Sequence, residues 1–178
     1  MYAGHAGLAL FAKSRRPRVA IALLVPVAFA PDWIQWTLAE LGISRNPSIS
    51  HSLLSVLVGA GFVAGAYWLA TRSTADAAIL GLTYLSHWPA DFITAVKTIW
   101  PNGPEFGLNL YQYPAVDVVV ESLVILLCWL AYRRSLEPSA KNKAVAWLIP
   151  LGLVALQVGF AVIQNPAVKE PLKQMIAN

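Results

Sequence analysis

The stretch Leu85-Ser86-His87-Trp88-Pro89-Ala90-Asp91 places an imidazole and a carboxylate four residues apart inside a long apolar segment. At that spacing both side chains lie on one face of a helix. Histidine and aspartate bind divalent transition metals, and ionisable groups inside a membrane mark functional sites because they are expensive to bury. The other two histidines, His5 and His51, stand at the edges of apolar segments, and Asp32 lies inside one. We therefore expect one metal-binding cluster assembled from several helices.

The composition places this 178-residue chain in the membrane class, because 57% of its residues are hydrophobic and only 12% are charged. Soluble domains carry roughly 25% charged residues. The net charge of +4 is modest and gives no indication of nucleic-acid binding. A single cysteine, Cys128, excludes an intrachain disulfide and a multi-cysteine metal site. Any metal ligands are therefore His, Asp and Glu.

The apolar segments predict an all-α fold, a polytopic membrane bundle forming one domain over residues 1–178. Five spans are expected, at about 19–41, 51–71, 75–99, 113–132 and 144–164. A short apolar helix over residues 2–13 precedes them and is too short to cross a bilayer. The tail over 165–178 is short and mildly basic.

Two features predict local geometry within the spans. Gly61 and Gly65 have the spacing that permits close packing of membrane helices. Pro89 cannot donate a hydrogen bond to the Leu85 carbonyl, which predicts a kink in the third span.

The basic residues predict the topology. Nine of the thirteen fall on one side of the predicted bundle: Lys13, Arg15, Arg16, Arg18, Arg72, Arg133, Arg134, Lys141 and Lys143. Such an excess indicates the cytoplasmic side. We expect a multi-pass protein of the inner (plasma) membrane, with its site facing outward. Its expected partners are membrane lipids, and partner membrane proteins or a second copy of the chain are further candidates.

Height along the helices brings polar groups from three predicted spans to a similar level. At 1.5 Å per residue, Asp32 and His87 lie about 20 Å above the basic turns, and Asp91 about 26 Å. Glu121 and Asp117 lie about 18 Å and 24 Å above them. Random placement would scatter these residues, so their common depth supports a shared site.

The remaining two histidines need particular folds to join this level. His51 lies about 32 Å up unless the second span tilts or its loop folds inward. His5 reaches the level only if residues 2–13 re-enter the membrane antiparallel to the first span. Such a segment has to be covered by protein or line a wet cavity.

At these residues the chain resembles a known family, the predicted membrane-bound metal-dependent hydrolases, or YdjM-like inner-membrane proteins of prokaryotes. The matching pieces occur in order over residues 1–135: Gly4-His5, Pro31-Asp32, His51-Ser52-Leu53-Leu54, the stretch 85–91, Gly107-Leu108-Asn109-Leu110-Tyr111 and Glu121. The resemblance implies metal-dependent hydrolysis, with His5, Asp32, His51, His87 and Asp91 as the metal ligands. The chain departs from the family at 33–36, where many members have a second Asp and a His. Residues 144–164 would be an additional span.

The resemblance and the residue types together predict a membrane-embedded metal-dependent hydrolase. His and Asp ligands suit Zn, Mn or Fe. Such a metal lowers the pKa of its bound water and polarises a phosphoryl or carbonyl oxygen. Glu121 and Asp117 are candidates for the catalytic base or for groups that orient the ligands. A lipid-like or phosphorylated substrate is expected from the location of the site alone.

Other interpretations remain open from the residues alone. His87 can be a buried histidine bonded to a neighbouring span, His51 an interfacial residue at a helix start, and His5 a solvated terminal residue. Asp117 and Glu121, four residues apart, can form a structural pair or a proton path. The chain would then be a non-catalytic accessory subunit or an ion transporter, although it has no evident inverted repeat.

Overall fold

The computed structural model describes residues 3–137 and 144–164, and within them the predicted all-α class is confirmed. The helices are α1 Gly4–Arg15, α2 Ile21–Ala28, α3 Ala30–Glu40, α4 Ser48–His51, α5 Leu53–Thr71, α6 Thr74–Leu85, α7 His87–Thr94, α8 Pro114–Arg134 and α9 Leu148–Gln164. Short 3-10 turns occupy Leu110–Gln112 and Ala144–Trp147. Strands β1 Lys97–Thr98 and β2 Glu105–Phe106 form an antiparallel pair. The predicted tail at 165–178 lies outside the described residues.

The expectation of five spans is wrong. Among the described residues, two helices, α5 and α8, are long and apolar enough to cross a membrane. The pair α2 and α3 makes a third candidate, bent by 57°. The predicted third span is divided into α6 and α7, and α9 has only 17 residues.

Proline explains where two of the predicted spans are interrupted. Pro31 lacks the N–H for the Val27 carbonyl and disfavours helical backbone at the residue before it, and the chain bends beside that residue, at Phe29. Pro89 likewise leaves the Leu85 carbonyl without its usual donor, and α6 ends at Leu85. Because Asp32, His87 and Asp91 follow these breaks within a few residues, the interruptions set the direction of the candidate site residues.

Helix α1 lies at the centre of the fold, in contact with α2, α6, α8 and α9. Half of its residues are buried, and most of these are small, as at Gly7. A Cβ at Gly7 would come within 3.2 Å of the Ile125 Cα on α8, so the glycine permits this close approach. The helix therefore has the protein cover that a half-helix needs at membrane depth.

Close packing of α5 uses different glycines from the predicted pair. A Cβ at Gly61 or Gly65 would meet no atom of the described residues within 4 Å. A Cβ at Gly59 would instead overlap the ring of Tyr84, and one at Gly81 would lie 3.0 Å from the Ala64 Cβ. The expected packing role of Gly61 and Gly65 is therefore wrong within this chain, and α5 packs on α6 through the other two glycines.

The β1–β2 hairpin folds back over α7 and the start of α5. Its position is fixed by hydrogen bonds from the Trp88 indole to the Thr98 carbonyl (3.3 Å) and from the Leu54 N–H to the Ile99 carbonyl (2.9 Å). Beyond the hairpin, Gly107 has φ +157°, and a Cβ there would overlap the Ala95 carbonyl oxygen. This region therefore requires glycine at 107.

Candidate metal centre

The structure brings all five predicted ligand residues together from four helices. His5 comes from α1, Asp32 from α3, His51 from α4, and His87 and Asp91 from α7. These residues, called the His/Asp cluster below, include every histidine of the chain. The histidines and Asp91 are buried, whereas the Asp32 side chain is 46% exposed.

Four donor atoms of the cluster form a closed ring in which nitrogen and oxygen alternate. His51 Nε2 lies 3.0 Å from Asp32 Oδ1, which lies 3.7 Å from His87 Nε2. His87 Nε2 lies 3.3 Å from Asp91 Oδ2, which lies 3.9 Å from His51 Nε2. Tetrahedral ligands at 2.0–2.1 Å from a zinc ion are separated by about 3.3–3.4 Å. The ring distances lie on both sides of this value, and in each of two triads, His5–Asp32–His87 and His51–His87–Asp91, the donor atoms lie within 4.8 Å of one another, close enough to hold a metal ion.

The hydrogen bonds of His87 determine which of its ring nitrogens faces the ring. His87 Nδ1 donates to the Ala28 carbonyl at 2.9 Å, since a carbonyl can only accept. In the neutral imidazole, Nε2 therefore carries a lone pair. Nε2 is buried and has no hydrogen-bond partner in the described part of the chain. A histidine bonded to a neighbouring helix was one open interpretation; that bond exists, and it leaves Nε2 available as a ligand.

His51 is held in the same way through Ser50. The Ser50 hydroxyl lies 2.7 Å from His51 Nδ1 and 3.0 Å from the Gln35 Oε1 acceptor. A metal on Nε2 would place the imidazole proton on Nδ1, which would then donate to the Ser50 oxygen while the hydroxyl proton is donated to Gln35. Burial lowers the pKa of His51, and the opposing hydrogen bond with Asp32 does not restore it. His51 Nε2 is hydrogen-bonded to Asp32 Oδ1 at 3.0 Å, and because a carboxylate oxygen only accepts, Nε2 carries the proton of that bond, which a metal ion at this position would replace.

His5 completes the cluster from the opposite side of His87. Their rings are stacked, with centroids 4.0 Å apart and planes at 11°, and His5 Nε2 lies 3.3 Å from Asp91 Oδ1. Neither ring nitrogen of His5 has a partner with hydrogen-bond geometry among the described residues. His5 is fully buried, so its interpretation as a solvated terminal residue is wrong.

The interpretation of His51 as an interfacial residue at a helix start also changes. Its side chain is buried, and Ser52 caps the following helix by accepting from the Ser55 N–H at 3.2 Å. Short helix α4 precedes this cap and turns His51 inward. The inward fold of the loop, one of the two routes to a common depth, is the one observed.

Lys97 is a member of the site that sequence reasoning missed. Its Nζ lies 2.7 Å from Asp91 Oδ2, an oxygen of the donor ring, and its side chain is only 15% exposed. In the sequence this lysine reads as one of the four basic residues on the minority side of the bundle. A lysine only six residues after Asp91 was the available signal, but the hairpin that brings it back was not predicted.

Asp117 and Glu121 lie in a second polar layer rather than in the cluster. Glu121 Oε2 accepts from the Gly4 N–H at 3.1 Å, and Asp117 Oδ2 accepts from the Gln157 amide at 3.1 Å. Gln157 Oε1 in turn accepts from the Ala3 N–H at 3.2 Å. These contacts serve the start of α1, which lacks a cap from its own side chains. They give no support to the prediction that these carboxylates supply a catalytic base.

A cavity of about 650 Å³ opens beside the His/Asp cluster. Its polar wall contains Asp32, Asp91, Lys97 and Tyr111, and its apolar wall contains Phe29 and three residues of α9, Leu153, Leu156 and Phe160. The half-exposed Asp32 links the donor ring to this space. The cluster is therefore buried on one side and accessible to a small molecule on the other, as a catalytic metal site requires.

Comparison with protein-family models, with curated proteins and with solved structures finds no match to this chain, so its resemblance to membrane-bound metal-dependent hydrolases stays a prediction from the motifs.

Proposed function

We propose that this chain is a metal-dependent hydrolase of the inner membrane, in which the His/Asp cluster holds a divalent Zn, Mn or Fe ion. The observation that carries the proposal is the donor ring, in which Nε2 of His51 and Nε2 of His87 lie 3.0–3.9 Å from the carboxylate oxygens of Asp32 and Asp91. His87 Nε2, buried beside both carboxylates, has no hydrogen-bond partner among the described residues, and a shared cation would give these four atoms a common partner. A divalent ion matches both their charge and their donor types.

The protein around the ring supports ligand roles for its histidines. Metal-bound histidines usually donate their second ring N–H to a carbonyl or another acceptor, which fixes the tautomer. His87 donates to Ala28, and a metal on His51 Nε2 would leave its Nδ1–H to donate to Ser50. When bound, the metal would lower the pKa of a coordinated water and polarise a phosphoryl or carbonyl oxygen. Asp32, half exposed on the cavity wall, is the ligand closest to an arriving lipid-like or phosphorylated substrate.

The membrane part of the proposal rests on the apolar helices and on charge. The long helices α5 and α8 both end at arginines, Arg72 and Arg133-Arg134. Arg16, at the end of α1, lies 3.7 Å from Asp76 in the first turn of α6, which places another basic end beside α6. We assign these basic ends to the cytoplasm and the cavity to the outer side.

Metal analysis of the full chain, purified in detergent, tests the proposal. We expect close to one divalent ion per chain, and at least a tenfold loss of affinity in His51→Ala and in Asp91→Asn. Asp76→Asn is the matched control, because Asp76 is a carboxylate outside the cluster. A chain that takes up no metal from a zinc, manganese or iron buffer would overturn the assignment.

Turnover separates an enzyme from a metal-binding scaffold. Chromogenic phosphate and carboxylate esters should be hydrolysed by the metal-loaded protein and not after chelation. Loss of turnover in Asp91→Asn with normal turnover in Asp76→Asn would assign the reaction to the cluster. Stoichiometric metal without hydrolysis of either ester class would contradict catalysis.

One contact favours a second candidate function, a non-catalytic accessory subunit. The Lys97 ammonium already lies 2.7 Å from Asp91 Oδ2 and supplies one positive charge to the ring. In an accessory protein this ion pair would stabilise the helices without metal. The same metal analysis decides, because an accessory subunit requires no stoichiometric ion.

A further inference from the structure

The cavity beside the cluster has a polar end at Lys97 and an apolar end along α9. We propose that it binds an anionic amphiphile, with a phosphate-like head group on Lys97 and an alkyl chain along α9. This inference rests on the proposed function, since it names the substrate class of the same site.

The polar end is formed around Lys97, whose ammonium group can donate hydrogen bonds to a ligand. An ammonium group has three N–H donors. Lys97 Nζ forms an ion pair with Asp91 among the described residues, and the same side chain lines the cavity. Two donors are thus available to an oxyanion placed beside the donor ring. The hairpin holds this lysine in place through the Thr98 and Ile99 carbonyls.

The apolar end suits a hydrocarbon chain. Leu153, Leu156 and Phe160 line the cavity from one face of α9, and Leu156 is 57% exposed. A second groove, lined by Gly152, Ala155 and Ile163 together with Leu156 and Phe160, continues along the same helix. A membrane lipid could therefore reach the head-group position from the bilayer without crossing a polar surface.

Charge selects an anionic head group once the metal is bound. Asp32 and Asp91 carry two negative charges, and the Lys97 ammonium group carries one positive charge. A divalent ion adds two positive charges to this site. An anion is therefore held more strongly with the metal bound than without it, so head-group binding and metal binding should reinforce each other.

Free phosphate and a phosphorylated lipid share the head-group chemistry, and the two cavity ends distinguish them. A free phosphate would use Lys97 and the metal alone. An amphiphile would also bury its chain against α9, where each CH₂ removed from water contributes about 0.8 kcal/mol. The long apolar wall favours the amphiphile.

Binding of hexadecylphosphonate to the full chain in phosphatidylcholine nanodiscs tests the inference, because its carbon–phosphorus bond is not a hydrolase substrate. We expect saturable binding with zinc present and at least tenfold weaker binding after chelation. Hexadecanol, which has the chain without the charge, should bind at least tenfold more weakly. Inorganic phosphate should compete only at concentrations at least a hundredfold higher.

Variants assign the two ends. Lys97→Met should weaken phosphonate binding at least tenfold and leave hexadecanol binding unchanged, and Lys97→Arg should recover most of the loss. Leu156→Asn should weaken phosphonate binding severalfold. Leu151→Asn is its matched control, because Leu151 is an exposed leucine of the same helix outside the cavity lining.

The outcomes separate this inference from the proposed function. Stoichiometric metal with no phosphonate binding, or with equal binding of hexadecanol, would overturn the amphiphile and leave the hydrolase. Equal affinity for inorganic phosphate would also overturn the amphiphile. Binding that depends on Lys97 and Leu156 in a protein that takes up no metal would sustain the amphiphile and remove the hydrolase.

Discussion

Two buried polar regions meet at the start of α1, and their buried carboxylates have different kinds of partner. The layer on α8, formed by Asp117 and Glu121, directs oxygens at N–H donors of Gln157 and Gly4. In the His/Asp cluster, which begins one residue later at His5, the carboxylates face imidazoles and one ammonium group, and His87 Nε2 has no hydrogen-bond partner among the described residues. The first region is complementary within the protein, whereas the second contains buried imidazoles and carboxylates that could hold a metal ion.

This difference separates structural carboxylates from candidate ligands better than burial does. Glu121 and His87 are both fully buried. Glu121 satisfies the N–H at the first residue of α1, as a carboxylate does favourably at a helix N-terminus. His87 Nε2, in contrast, lies 3.7 Å from Asp32 Oδ1 and 3.3 Å from Asp91 Oδ2 and has no hydrogen-bond partner among the described residues. The presence or absence of a hydrogen-bond partner is therefore the informative property.

Removal of the metal should give the largest difference in stability between the two buried polar regions. At free zinc a thousandfold above the dissociation constant, binding stabilises the folded state by about 4 kcal/mol. Chelation should therefore lower the thermal midpoint of the detergent-purified protein by several degrees. The Asp91→Asn variant should show no response to chelator. If wild type and Asp91→Asn respond alike, the stabilising ion lies elsewhere and the contrast between the two regions fails.

Truncation of Glu121 should give the next largest effect, on stability rather than on chemistry. Glu121→Ala leaves the Gly4 N–H without this acceptor, which costs about 1–3 kcal/mol. Glu121→Gln keeps an oxygen acceptor and should lose less than about 1 kcal/mol. Denaturation midpoints and metal content measure both effects. Full loss of metal in Glu121→Gln would show that the two regions act as one site.

The ligand residues could be predicted because histidine and aspartate are rare in apolar segments and their heights along straight helices coincide. The same straight-helix assumption produced two errors. Mean hydropathy does not register a proline, so the 57° bend near Phe29 divided one expected span, and the kink predicted from Pro89 is a full break of the helix at Ser86. The hydropathy pattern also gave no reason to expect His51 inside the fold. Short helix α4 directs this side chain inward.

The residues that sequence reasoning missed act through contacts that no helical period encodes. Lys97 reaches Asp91 because a hairpin follows α7, and its four strand residues carry no strong strand signal. Gln35 occupies the segment where the chain departs from the resembled family, and it meets Ser50 fifteen residues later. Both depend on loop geometry, which is fixed by hydrogen bonds between distant backbone groups.

The relay from Gln35 through Ser50 to His51 gives the smallest and most specific test. Ser50→Ala removes the acceptor that holds His51 Nδ1–H, so the ring is freed to change tautomer without loss of a ligand. Loss of such support lowers metal affinity by about 10–100-fold, while the thermal midpoint of the metal-free protein should change little. Ser135→Ala is the matched control, because Ser135 bonds only locally, to the Tyr132 carbonyl. Unchanged zinc affinity in Ser50→Ala would contradict support of the metal site by Ser50, whereas the ligand role of His51 is tested by His51→Ala.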